Sequence, residues 1–422
     1  MKLKNLRQYL ISFFNNNCLN TKDMSLNTKK IFINLYEEIK NAENYLYSLK
    51  IKNGSFYKIK IKDIHQSKDI TKPQTFDSGG FPKSIVKYID DNIKKEIEYS
   101  IFLLDRNIKI YILLEDNLTN TNIYNNYVDN ILIWIIMLNS YASKKCAPQL
   151  KIFLYFTNLQ KEIPTNNIIL NETHANTAFT YPCPINSEIV VYRKEEWFKV
   201  FLHETFHNLG LDFSDMNNDK CNKEIKKIFP INSDINLYEA YAEFWAKIMN
   251  VIFCSYLHLK NKNDVKEFLT NCEILINYEK TYSCFQMIKV LDFMQLTYKN
   301  LYQKGIKNAE IRNRFYKEET NIFAYYVITF ILLDKYEKFI EWCFYFNTSL
   351  LQFKKTTRNQ MYLCKYIIEN YKSKNLLDDI GCVEDFYNVL KKKMKKNGKD
   401  LNNYKKINYI LNNMRMTICE LG

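Results

Sequence analysis

Residues 195–209 are the segment that most restricts how this chain can fold. If this segment is helical, apolar side chains cover most of its circumference, and such a helix is normally buried. The apolar residues are Trp197, Phe198, Val200, Phe201, Leu202, Phe206 and Leu209. Gly210 follows at the position where a glycine commonly ends a helix. The chain is therefore expected to bury this helix in its core.

The same helix carries three ionisable side chains, His203, Glu204 and His207, which match the pattern H-E-x-x-H. Two histidines four residues apart share one helix face and can bind one zinc ion, and the glutamate can take a proton from a zinc-bound water. Burying these groups is costly unless something pairs with them. The pattern predicts zinc ligands at His203 and His207 and a catalytic base at Glu204. The alternatives are two hydrogen-bonded core histidines or an inactive metal site.

A zinc site needs a third protein ligand, and the next predicted helix, which runs from about Ile235 to past Phe253, offers two. Glu239 and Glu243 are four residues apart and share a face, and alanines around them allow close approach to the histidine helix. We expect Glu239 to bind the metal and Glu243 to hold His203 from behind, because ligating histidines usually donate to a carboxylate. The reverse assignment stays open.

This set of residues resembles the gluzincin class of zinc metallopeptidases, over roughly residues 100–255. Gluzincins have H-E-x-x-H on one helix and a ligand glutamate on a later one, often with an acid one turn further on. His203, Glu204, His207 and Glu239 match that pattern, although the gap before Glu239 is longer than in thermolysin-like members. The resemblance implies a zincin fold, bound Zn²⁺ and hydrolysis of a peptide or protein substrate. The chain is also loosely similar to uncharacterised putative metallopeptidases of large DNA viruses.

A rival pattern, that of the metzincins, continues as H-E-x-x-H-x-x-G-x-x-H/D. Gly210 stands at the glycine position, but Phe213 occupies the ligand position and no convincing Met-turn follows. Asp212 and Asp215 flank Phe213 and would serve only with a shifted turn. We therefore interpret Gly210 as a helix cap.

Substrate contacts are expected on both sides of the zinc helix. Glu188–Tyr192 is predicted to be an edge strand that binds extended substrate through its backbone. The preceding segment, residues 174–180, is expected to form a wall of the cleft, with His174 and Asn176 contacting substrate.

The C-terminal part is expected to supply the remaining groups. Tyr325 or Tyr326 is predicted to donate a hydrogen bond to the developing oxyanion. Arg314 is predicted to anchor the substrate. With 32 tyrosines in the chain, packing is the competing interpretation for both tyrosines.

The order of predicted elements indicates an α+β fold. A helix over Lys83–Glu98 leads to extended segments at Ser100–Leu104 and Ile108–Leu114, and later to a strand at Leu150–Phe156. We expect an N-terminal helical segment (1–75), a zincin-like catalytic domain with a small mixed sheet (76–254) and a mostly helical C-terminal domain (255–422). The breaker at residues 77–82 marks the first boundary.

Composition bears on where the protein is located in the cell and on which alternatives to an enzyme remain. The chain has 422 residues, and 60 basic and 46 acidic residues give a formal charge of +14. Eleven cysteines without a C-x-x-C pair indicate free thiols, and the longest apolar run is too short to span a membrane. We expect a cytoplasmic, intracellular protein, in the host cytoplasm or the virion if it is viral. The alternatives to an enzyme are a zinc-stabilised binding or virion-associated protein and a basic nucleic-acid-associated protein.

Overall fold

The fold of this computed structural model, which describes residues 10–11, 23–53, 56–74, 81–165, 169–396 and 401–421, is α+β, as the sequence predicts. Its six-stranded sheet has the order β1-β2-β3-β4-β6-β5. The strands are β1 (Lys58–Asp63), β2 (Lys95–Leu103), β3 (Arg106–Leu114), β4 (Gln149–Phe156), β5 (Ala178–Thr180) and β6 (Asn186–Val191). Strands β3, β4 and β6 run parallel, and the remaining pairs are antiparallel.

Helices surround this sheet and make up most of the C-terminal half. They are α1 (Leu26–Asn53), α2 (Lys83–Asn92), α3 (Ile123–Leu138), α4 (Glu172–Ala175), α5 (Trp197–Asn208), α6 (Asp219–Lys226), α7 (Leu237–Leu257), α8 (Val265–Phe293), α9 (Tyr298–Tyr302), α10 (Ile306–Phe315), α11 (Thr329–Asp334), α12 (Tyr336–Phe346), α13 (Thr357–Asn370), α14 (Lys374–Lys396) and α15 (Leu401–Asn412). A π-helical turn, Phe323–Ile328, runs directly into α11. Within the described ranges, no helix combines the length and apolar character needed to cross a bilayer.

The predicted helix over Lys83–Glu98 is too long. It ends at Asn92, and β2 begins at Lys95. From Ile97 onward, buried residues alternate with more exposed ones, which is the two-residue period of a strand with one buried face. This strand forms a hairpin with β3, and Leu104 and Asp105 in its turn both have positive φ.

The strand predicted at Glu188–Tyr192 exists as β6, but it is not an edge strand. It lies between β4 and β5, with Thr180 opposite Ile189 and Ala178 opposite Val191. The edge on this side is β5, within the segment that was expected to form a wall of the cleft. Backbone groups for pairing with an added strand are therefore offered by β5.

The two faces of the sheet are covered by different elements. Ile110 and Ile112 belong to the large core that includes α3, α5 and α7, whereas Tyr111 and Leu113 pack with α2 on the other face. The large core is continuous from α1 to residue 421, so all three predicted segments contribute to it. Most of the predicted boundary at residues 77–82 lies outside the described residues, which resume at Phe81.

The last described residues form an extended strap, residues 413–421, that is buried between the helices. Its backbone is held by charged side chains: Glu196 accepts from the N–H groups of Met416 and Thr417 at 2.7 and 2.6 Å, and Glu279 accepts from that of Ile418 at 3.1 Å. The C-terminal part of the chain therefore supplies a buried segment of the core as well as helices around it.

The sequence predicts free thiols for all cysteines, and this prediction is wrong for three of the described ones. Cys146 and Cys183 form a disulfide, and Cys382 is disulfide-bonded as well. The other described cysteines, which keep their thiol groups, are all buried: Cys221, Cys254, Cys272, Cys284, Cys343, Cys364 and Cys419. The spacing of the cysteines along the chain carries no sign of the 146–183 pair, because the tertiary fold brings these two residues together.

Candidate metal centre

The first element of the site is α5, and each of its twelve residues is buried. Trp134 from α3 donates to Thr205 Oγ1 at 2.8 Å, which ties α5 to α3. The helix ends at Asn208, and Gly210 caps it as predicted. The φ of Gly210 is left-handed at +67°, and the N–H of Leu211 donates back to the carbonyl of Phe206 at 2.8 Å. This cap holds the last turn, where His207 lies.

The second element is α7, which packs against α5. Its alanines at 240, 242 and 246 are fully buried, as close packing of two helices requires. Glu239 lies in the first turn of α7 and Glu243 lies one turn later on the same face. Both carboxylates therefore point toward the histidines of α5.

Three side-chain atoms converge between the two helices. His203 Nε2 lies 3.0 Å from His207 Nε2, and Glu239 Oε2 lies 3.2 and 3.3 Å from these two nitrogens. Neighbouring ligands of a tetrahedral zinc ion lie roughly 3.3 Å apart when each bond is about 2.05 Å long. The triad therefore has the spacing of three corners of a zinc tetrahedron. In the described part of the chain, no other group of acids, cysteines or histidines converges in this way.

The outer nitrogen of each histidine faces a carboxylate. His203 Nδ1 lies 3.1 Å from Glu243 Oε2, and His207 Nδ1 contacts Asp212. Each Nδ1 can therefore carry the proton, which leaves the lone pairs of the two Nε2 atoms directed at each other and at Glu239. A cation between them relieves this repulsion, so the donor set fits a metal ion.

The pKa values show the same electrostatic balance. Burial lowers the pKa of His203, but hydrogen bonds to Glu239 and Glu243 outweigh it and the net pKa is raised. For His207, burial again lowers the pKa, and the charge of Asp212 followed by that of Glu239 raises it well above its usual value. Burial raises the pKa of Glu239, yet the two histidines bring it far below its ordinary range. The cluster thus attracts positive charge strongly, whether protons or a metal.

Glu204 lies beside the triad without joining it. It is 7% exposed and forms no hydrogen bond with any described residue. Burial raises its pKa, although the neighbouring histidines oppose that effect. Glu204 lines a cavity of about 30 Å³ together with Asn176, Thr177, Val200, His203, Tyr325 and Met416, among others. A carboxylate with a raised pKa at a cavity wall is suited to exchange protons with a molecule inside.

Glu239 is oriented by two further donors. Tyr325 Oη and Asn321 Nδ2 each lie 3.2 Å from its carboxylate, and Asn321 in turn accepts from Asn236 at 2.8 Å. Tyr325 sits in the π-helical turn, a form of helix that often occurs at functional sites.

The structure does not bring every predicted residue to the cluster. Tyr326 donates to the carbonyl of Met414 on the far side of the π-helical turn, so it is not placed to serve as an oxyanion donor. Arg314 is exposed on α10, above the ring of Phe315, and is not among the residues that line the cavity beside Glu204. His174 accepts from the N–H of Asn171 and caps the short helix α4. Asn176 does line the cavity.

The metzincin-type alternative has no geometric support. Phe213 is fully buried against Phe353, with ring centroids 4.2 Å apart, and Asp215 is paired with Lys355 at the surface. Asp212 serves the outer nitrogen of His207, a role that the sequence reasoning missed. The sequence does indicate this role, since Asp212 follows the helix-capping Gly210 by two residues, where the chain turns back toward the last turn of α5.

Lys199, the second residue missed, lies one turn before His203 on α5. Its ammonium group is 2.9 and 3.0 Å from the two oxygens of Glu243 and is almost fully buried. Behind it, Lys247 lies 3.3 Å from Glu279, and Lys161 contacts Glu196. A lysine within an otherwise apolar helix was the available sign that a buried carboxylate lay nearby.

Comparison of the chain with protein-family models, with curated proteins and with solved structures found no match. No relative therefore assigns a ligand or a reaction to these residues, and the case for either depends on the converging side chains alone.

Proposed function

We propose that this protein is a zinc-dependent metallopeptidase. The observation that carries the proposal is the triad of His203, His207 and Glu239, spaced as three corners of a zinc tetrahedron, with Glu204 free beside it. Three protein ligands and one open position are typical of catalytic zinc sites.

Each residue has a separate task in this proposal. His203, His207 and Glu239 hold the ion, which when bound supplies a Lewis acid that polarises the scissile carbonyl and activates water. Glu204 accepts the proton of the attacking water and passes it to the leaving amine. Tyr325, whose hydroxyl already lies within hydrogen-bonding distance of Glu239, donates to the carbonyl oxygen as negative charge develops there.

A peptide is the substrate class that the surroundings favour. The edge strand β5 begins next to the cavity, since Ala178 is both its first residue and a lining residue. An extended peptide can pair with such an edge through backbone hydrogen bonds, which places a scissile amide across the site.

Two measurements test the proposal. Elemental analysis is expected to find one zinc per chain in the wild type and in Glu204→Gln, and none in His207→Ala. A peptide library is expected to be cleaved by the wild type and left intact by zinc-loaded Glu204→Gln. Cleavage by Glu204→Gln at the wild-type rate, or zinc retained in full by His207→Ala, would sink the assignment.

A second candidate is a zinc site that only stabilises the fold. The low exposure of the site favours it, because His203, Glu204 and His207 are 6%, 7% and 8% exposed and structural zinc sites are closed. This alternative predicts that metal removal lowers the melting temperature while no peptide is cleaved by the loaded protein.

A further inference from the structure

The segment that joins the two site helices, residues 209–236, is held against α13 and the residues just before it. The N–H of Phe353 donates to the carbonyl of Leu211 at 2.7 Å. Further along the segment, Gln360 of α13 donates to the carbonyl of Asn217 at 3.3 Å. These contacts decide how freely the connection between α5 and α7 can open.

Two cysteines meet within this contact. Cys221 on α6 is 1% exposed and Cys364 on α13 is 0% exposed, and both belong to the large core. The two helices pack against each other, and the thiol of Cys364 donates a hydrogen bond to the sulfur of Cys221. A disulfide needs two side chains that face each other, with the sulfurs about 2.05 Å apart. Since the two thiols already face each other, closing the gap between their sulfurs is the remaining step.

The two thiols differ in reactivity. The hydrogen bond from Cys364 lowers the pKa of Cys221, although burial opposes this effect. The same hydrogen bond, followed by burial, raises the pKa of Cys364 well above its usual value. Cys221 also lies on a short surface helix, where Asp219, Lys220 and Lys223 are exposed. Because the thiolate is the nucleophile in disulfide exchange, Cys221 is the thiol that attacks an oxidant first.

The start of the same segment is already braced by a disulfide. The N–H of Cys183 donates to the carbonyl of Asn208, the last residue of α5, at 3.0 Å. Cys146, its disulfide partner, lies beside Gly210, with Sγ 3.6 Å from the place that a Cβ on this glycine would occupy. A bond at Cys221 would therefore fix the middle of a segment whose first residues are already held.

We propose that Cys221 and Cys364 are a redox pair whose disulfide limits the opening of the segment between α5 and α7. With glutathione disulfide as oxidant, the Cys221 thiolate attacks one glutathione sulfur and releases the first glutathione. Cys364 then gives up its proton and attacks the Cys221 sulfur, which forms the protein disulfide and releases the second glutathione. Two protein thiols are oxidised, one glutathione disulfide is reduced, and the two protons end on the released glutathiones. The inference goes beyond the proposed hydrolysis and does not depend on bound zinc.

The first test identifies the bond. The protein is incubated with glutathione disulfide, alkylated, digested without reduction and analysed by mass spectrometry. We expect a cross-linked peptide pair containing Cys221 and Cys364. Cys343→Ser is the matched control and should give the same cross-link, since Cys343 is fully buried on α12 and its hydrogen-bonding partners are Trp245 and Asn347.

Single variants separate the roles of the two thiols. In Cys364→Ser, Cys221 should accumulate as a mixed disulfide with glutathione, because the thiol that completes the exchange is gone. In Cys221→Ser, Cys364 should stay unmodified at the same oxidant concentration. If Cys364→Ser does not fold, Cys364→Ala removes the same thiol without adding a buried hydroxyl.

The second test measures opening of the segment by amide hydrogen exchange. On oxidation of the wild type, peptides from residues 211–236 should exchange at least about tenfold more slowly, because the new link restricts the opened state. Cys221→Ser treated in the same way should keep the rate of the reduced protein. Peptides from α2, on the other face of the sheet, should not change.

The outcomes bear on this pair separately from the peptidase. An oxidised wild type that lacks the Cys221–Cys364 cross-link, or that links either cysteine to a different one, overturns the redox pair. A cross-link that leaves exchange in residues 211–236 unchanged rejects its control of opening. Absence of zinc or of peptide cleavage rejects the proposed function and leaves both readouts of the cysteine pair intact.

Discussion

The carboxylate of Asp212 contacts Nδ1 of His207 across the tight turn at the end of α5. This contact fixes the orientation of the imidazole and directs Nε2 toward His203 and Glu239. It makes a residue outside the triad responsible for the geometry of one of the expected metal ligands.

Asp212→Asn is therefore expected to weaken zinc binding about 10- to 100-fold, the usual cost of losing such a partner. The zinc dissociation constant, measured by competition with a chelator, checks this. Asp215→Asn is the matched control, because Asp215 lies three residues away and pairs with Lys355 at the surface. Equal dissociation constants for both variants would show that Asp212 does not orient the ligand.

Removing Lys199 is expected to destabilise the fold. Lys199→Met leaves the Glu243 carboxylate buried with its closest cation gone, which costs about 3 kcal/mol or more of unfolding free energy. The double variant Lys199→Met/Glu243→Gln should recover a large part of this loss. Urea unfolding measures both, and Lys226→Met, which breaks the exposed pair with Asp234, should change stability by less than about 1 kcal/mol. A Lys199→Met protein as stable as the wild type would contradict the buried pairing.

Glu318 is expected to make stability depend on pH. Burial raises its pKa from 4.5 to about 7, although the N–H of Phe323 at the start of the π-helical turn donates to it. The folded protein holds the Glu318 proton more tightly than the unfolded chain does. The stabilisation that this proton gives the folded state is therefore complete below pH 4.5 and is lost as the pH rises through about 7.

Glu318→Gln removes that dependence. As the pH is raised from about 4.5 to 8, the wild type should lose stability and the variant should not. The difference in unfolding free energy, variant minus wild type, should therefore increase by up to about 3 kcal/mol. Chemical denaturation in the presence of EDTA measures the difference without a contribution from metal binding. Glu319→Gln, at an exposed neighbouring position, should show no such trend. A constant difference for Glu318→Gln across this range would contradict the prediction.

The disulfide between Cys146 and Cys183 closes a segment of 37 residues. Its loss in Cys183→Ser is expected to lower the unfolding free energy by about 3 to 4 kcal/mol through the entropy of the unfolded chain. Mass spectrometry after alkylation of the denatured, unreduced protein should leave Cys146 and Cys183 unmodified while labelling Cys221. Labelling of Cys146 before reduction would show that this pair is not formed.

Local pattern alone was enough to predict the two site helices. The four-residue spacing of His203 and His207, and of Glu239 and Glu243, puts each pair on one helix face whatever surrounds it, because helix geometry is set by the backbone. The cap at Gly210 depends on its immediate neighbours in the same way, since only glycine adopts the left-handed conformation without strain.

Other features were decided by contacts between distant segments. Tyr325 and Tyr326 are adjacent and equivalent in sequence, but successive residues of a helical turn point in different directions, and packing decides which one faces Glu239. The edge position of β5 depends on which strands pair, and the strap at residues 413–421 depends on which buried charges need partners. Helix periodicity is a property of neighbouring residues along the chain, and the sequence by itself determined it. Burial and hydrogen-bond satisfaction are shared among segments far apart in sequence, so only the tertiary structure decided these partners.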